Sequence, residues 1–161
     1  MAVLPIKRGL LQSLVDAANA QFPFGYRIDT DRDWYTLIPT HTRDALGHTI
    51  EITPLLDRRV TIPAGTRSIA ATASLMADAL SAQTGLRVNC CQGVIAGVPW
   101  GMAEISFEAR DEPARDVFKR LIRAAAANHA ATEHWLQRCD PLPSKWCFIN
   151  LSAVPVRSTF P

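Results

Sequence analysis

At 161 residues, 48% hydrophobic and 20% charged, the chain has the composition of a globular protein able to bury a core, as one domain or two small ones. A formal charge of +2 is too small to imply a polyanionic partner and a pI near 8.5 does not exclude one, so charge decides nothing; nucleic acid is not among the expected partners. No apolar run approaches the roughly 20 residues of a membrane-spanning helix; the longest candidate, 94–102, is broken by Gly97, Pro99 and Gly101.

The first element is a helix. Leu10, Leu11, Leu14, Val15 and Ala18 recur at the offsets of an apolar stripe, with Gln12, Ser13 and Asp16 outward. Lys7 and Arg8 before this run give it the outline of a signal peptide, but those three polar residues occupy the place of an apolar core, so it is read as a helix. Two β-rich runs, FGYRI and WYTLIP, follow across DTDRD, whose aspartates favour a turn. HTIEITPLL can supply a further strand limited by Pro54, and RRVTIPAG reads as extended and turn-like around Pro63.

TRSIAATASLMADALSAQTG is the clearest helix. Thr66 or Ser68 can cap its start, Ile69, Ala73, Met76 and Leu80 line one face, and Gly85 can take the left-handed conformation that closes it. LRVNCC follows as a strand. The next segment, QGVIAGVPWGM, sets glycines and a proline among large apolar residues and predicts a wide loop. Its apolar residues either cap the core or meet a partner, and Val94, Ile95, Val98, Pro99, Trp100 and Met102 are the candidates for partner contact.

AEISFEA alternates as a strand, and DEP opens a helix in which Pro113 fits the first turn and Asp111 or Glu112 the cap. Val117, Phe118, Leu121, Ile122 and Ala125 form its apolar stripe, and Arg115, Lys119 and Arg123 fall on one outward stripe. HWLQRC and KWCFINL then form a hairpin around DPLPS. This order repeats the helix and hairpin at the start of the chain, with Trp34 corresponding to Trp146; an internal duplication and two similar packing solutions both fit. The expected architecture is α+β, with helices packed on one face of antiparallel sheet. A helix-hairpin unit is expected over 1–60 and a second α+β unit over 61–161, sharing one core.

From Ile69 onward the order is helix, strand, strand, helix, hairpin. With LSAQTGLRV and the Pro-led helix of FEARDEPARDVFKRLI, it resembles the short N-terminal (STN) domain of secretins and TonB-dependent receptors. The resemblance covers roughly the last ~100 residues, the scale of a small domain. It implies an extracytoplasmic α+β module, periplasmic or secreted, that docks against another protein or peptide segment, with no catalytic residues to carry over. The added helix-hairpin before it departs from the family pattern, and no secretin or barrel sequence follows, so neither secretion nor transport is inferred.

Motifs for chemistry are missing from the sequence. There is no G-x-S-x-G elbow, the histidines at 41, 48, 129 and 134 form no recognised arrangement, and GVIAG lacks the lysine and hydroxyl of a P-loop. Cys90, Cys91, Cys139, Cys147, His129 and His134 could ligate a metal, but they lack the close pairing of structural zinc sites. No metal or cofactor is expected, and Trp34, Trp100, Trp135 and Trp146 are read as core rather than as ligand-stacking groups. The competing class is a small hydrolase or thiol-dependent enzyme.

Four cysteines permit two disulfides. If the last two strands pair about Pro143, Cys139 and Cys147 stand opposite each other within reach of a bond. A bulge from Pro141 and Pro143 would send them to opposite faces instead, and Cys90 or Cys91 could pair with this hairpin.

Overall fold

The computed structural model describes residues 8–31, 34–44, 46–90, 102–126, 131–140 and 145–155. It is α+β, with three helices and eight strands among the described residues, and it divides into units spanning 1–54 and 55–161.

In the first unit α1 (Arg8–Gln21) precedes β1 (Gly25–Asp31), β2 (Trp34–Arg43) and the short β3 (Thr49–Glu51), which form one antiparallel sheet in that order. The helix stripe is narrower than its sequence suggests. Val15 is buried and Leu11 and Ala18 half-buried, but Leu10 and Leu14 are each 59% exposed. Apolar period alone does not say how wide a face the sheet can cover. Gly25 lies against the imidazole of His41, its register partner, so that an added Cβ would have to displace that ring.

The second unit begins with a 3-10 turn (Leu55–Asp57) and β4 (Arg59–Ser68), followed by α2 (Ile69–Thr84) and β5 (Arg87–Cys90). Then come β6 (Glu104–Pro113), α3 (Ala114–Ala126), β7 (Ala131–Asp140) and β8 (Trp146–Pro155). β4 and β6 pair antiparallel, with register shifts on either side of Ile62 that let Pro63 stand inside a strand. The other sheet has the order β5-β8-β7, in which β7 is antiparallel to β8 but β5 runs parallel to it. That parallel pair extends the expected antiparallel scheme. It is made possible by the long α3-containing connection between the two strands.

Helix α2 packs against β4 and β5, and α3 against β6, β7 and the 3-10 turn, so the helix pair meets strands of both sheets. Between them Ile69, Ala73, Met76, Leu80, Val117, Phe118 and Leu121 are at most 1% exposed. Burying each large side chain of this kind contributes roughly 1.5–3 kcal/mol. Ser68 caps α2 by accepting the Ala71 N–H at 3.1 Å, and Gly85, at φ 67°, closes it with its own N–H on the Ser81 carbonyl.

Two expectations about α3 are corrected. DEP does not open the helix: β6 runs through Pro113, Asp111 has a positive φ of 49° at a register shift, and the helix starts at Ala114, whose N–H bonds the Arg58 carbonyl. The backbone finds a strand partner in β4, which outweighs the local helix-start signal. Nor do Arg115, Lys119 and Arg123 form an outward stripe. Arg123 is exposed, but Arg115 and Lys119 are buried, Arg115 against Asp57 of the 3-10 turn and Lys119 3.9 Å from Asp116.

Candidate functional site

The histidines and acids do not converge on a deep cavity among the described residues. His48 Nδ1 lies 3.1 Å from Asp44 Oδ2, but on an exposed turn between β2 and β3, where the same carboxylate accepts the N–H groups of Leu46 and His48. These bonds, the His48 N–H foremost, hold the Asp44 carboxyl below the usual aspartate range. The contact organises a turn. His41 Nδ1 meets the hydroxyl of its neighbour Thr40 at 3.1 Å, with its ring against Gly25. A depression of about 240 Å³ opens on the β4–β6 sheet, lined by Ala64, Gly65, Ser106, Phe107 and Glu108. It is smaller than ligand pockets commonly are, and its one acid is ion-paired with Arg110 at 3.3 Å. No group of three metal-ligating side chains occurs among the described residues.

Cys139 and Cys147 are joined by a disulfide. They are direct register partners on β7 and β8, with Cα atoms 4.0 Å apart. Cys139 is exposed and Cys147 wholly buried. Cys90 is also disulfide-bonded, so none of the described cysteines is a free thiol. Of the contact candidates, Met102 is 77% exposed; Val94, Ile95, Val98, Pro99 and Trp100 lie outside the described residues, as do Cys91 and His129. Trp34 and Trp146 are half-buried, and each opens the second strand of its hairpin opposite an aspartate, Asp31 and Asp140 respectively.

What the polar side chains of the helices do instead is occupy strand backbone. From α1, Asn19 both donates to the Tyr26 carbonyl and accepts its N–H, each at 2.8 Å. From α2, Ser81 accepts the Val88 N–H at 2.9 Å, and Gln83 donates to the Arg59 carbonyl at 2.7 Å. From α3, Arg120 donates to the Glu108 carbonyl at 3.0 Å. Its guanidinium also bonds Glu112 at 3.0 Å and lies 5.0 Å from the centre of the Phe107 ring. Glu112 in turn accepts the Arg110 N–H at 3.3 Å. Within β4, Arg67 donates to the Pro63 carbonyl.

Strands with one neighbour present unpaired N–H and C=O groups that can template another strand, and these bonds consume part of that template on β1, β4, β5 and β6. Sequence reading missed this set because Asn19, Ser81, Gln83 and Arg120 each look like ordinary polar positions on a helix. A Ser or Asn on the last turns of a helix just before a strand is the one signal that could have suggested it.

No family model, curated protein or solved structure matches this chain. No helix among the described residues is long and apolar enough to cross a membrane.

Proposed function

We propose that the protein is a non-enzymatic interaction module that works outside the cytoplasm by docking against another protein segment. The observation that carries this reading is the use of its polar side chains: they complete helices, turns and strand edges of the chain itself rather than facing a common cavity. A catalytic site needs an acid, base or nucleophile at a place where substrate can be enclosed. The one His–carboxylate contact lies on an open turn, and the described cysteines are in disulfides. The Cys139–Cys147 bond supports an oxidising compartment, where such bonds persist. The resemblance of the second unit to STN modules supports the same class.

A photo-activatable cross-linker at the exposed Met102 position, with cell fractionation, tests this. The expected result is a discrete adduct with one protein in an extracytoplasmic fraction. Turnover of a hydrolase substrate panel that is lost in His48→Ala would overturn it in favour of the enzyme.

A further inference from the structure

We propose that the first unit carries a dimer interface: the face of its β1–β2 pair that bears Ile28 and Leu37 packs against the same face of a second copy of this chain. This surface lies in the first unit and goes beyond the docking of the second.

Strand register assigns the face. Ile28 stands opposite Leu37, Tyr26 opposite Pro39 and Thr30 opposite Tyr35, and opposed residues in an antiparallel pair share a side. Thr36 and Ile38 point to the other side and are buried. An antiparallel sheet with one face in water alternates apolar and polar residues, yet Tyr35, Leu37 and Pro39 are as apolar as a core face. They are nonetheless open to solvent, Leu37 being 51% exposed and Tyr35 43%.

The apolar surface continues past the strand end. Phe22 and Phe24, 51% and 37% exposed, stack at 5.4 Å, and Phe24 meets the Tyr26 ring edge-on at 5.7 Å. The register shift between Gly25 and Tyr26 turns His41, with its partner Glu51, to the Gly25 side, and brings Ile50, 47% exposed, onto the Tyr26 side. No charged residue therefore stands on this face among the described residues.

A sheet that is apolar on both sides requires a second layer on the open side. Two features point to a second copy as that layer. Charges are what steer and select a different protein, and this face has none to offer, whereas a face without charge can meet itself with no like-charge contact. The area is also sufficient. Its exposed parts come to roughly 500 Å² per copy, so a pair buries about 1,000 Å², the least that a specific interface needs. The dimer is accordingly weak and concentration-dependent. With the sheets aligned to within about 30°, a two-fold axis running across the strands at Leu37 sets Leu37 over Leu37, Ile28 over Ile28 and Tyr35 over Pro39 of the other copy.

Sedimentation equilibrium of the full oxidised chain tests this, with circular dichroism and melting to check folding. The parent chain is expected to dimerise. Leu37→Asp sets two carboxylates together on the axis and is expected to weaken the dimer by roughly a hundredfold or more, and Leu37→Thr, neutral and strand-forming, by roughly tenfold. Leu46→Asp, 81% exposed on the Asp44 turn, should leave it unchanged. A monomer at every concentration, a dimer indifferent to both Leu37 changes, or one weakened as much by Leu46→Asp as by Leu37→Asp overturns the interface. Should Leu37→Asp lower the melting temperature sharply, Leu37→Thr decides. The Met102 adduct of the second unit depends on none of these residues, so failure of the dimer and failure of the module reading are told apart.

Discussion

The Ser81 hydroxyl and the Val88 amide meet at 2.9 Å, so one oxygen on α2 anchors the outer side of β5. That hydroxyl also donates to the Ala77 carbonyl at 2.8 Å, which fixes its rotamer and aims its lone pair at the strand. Val88 is 5% exposed, so its N–H has little access to water once the hydroxyl is gone. Ser81→Ala should cost about 1–3 kcal/mol, the penalty for a buried donor left unmade. Chemical denaturation of the two proteins measures it. Equal stability, with unchanged exchange of the Val88 amide, would show that the hydroxyl does not serve this edge.

The disulfide offers a second measurement. Its partners are eight residues apart, and closing so short a loop contributes about 2–3 kcal/mol by the chain-entropy account. The hairpin pairs ten residues without a register shift, so reduction should leave it folded but with a melting temperature lower by several degrees. Because Cys147 is completely buried, Cys139→Ala is the cleaner variant: it removes the bond from the exposed side without opening a cavity in the core. Melting with and without a dithiol reductant should differ for the parent chain, while the difference contributed by this bond disappears in the variant.

Asp44 makes stability depend on acid. Its carboxylate accepts the His48 and Leu46 N–H groups, and the folded protein holds its pKa below the ordinary value. A depressed carboxylate stabilises the fold above the unfolded pKa of about 3.9, and the contribution is lost as pH falls through the lower folded value. Being exposed, it should be small and sensitive to salt. Carbon-detected NMR titration should place the Asp44 midpoint below those of exposed aspartates, and Asp44→Asn should flatten the acid limb of the stability profile. A midpoint in the ordinary range would remove the turn from this account.

The sequence by itself determined the α+β class and, for α2, nearly every detail. Its apolar period, capping Ser68 and closing Gly85 act within a few residues of one another, and such local terms are legible without a partner. The opposition of Cys139 and Cys147 follows from spacing within one hairpin in the same way. Only tertiary structure decided the parallel β5–β8 pair and the start of α3, because β8 and β4 lie more than fifty residues away and compete with local signals through backbone hydrogen bonds. It also decided the fate of the basic residues on α3: whether Arg115 faces water depends on Asp57, 58 residues earlier, and nothing on the helix itself records that neighbour. The closing of strand edges by Asn19, Ser81, Gln83 and Arg120 belongs to the same kind. A polar helix residue is outward by default, and only the strand that arrives beside it turns its hydrogen bonds into a structural constraint.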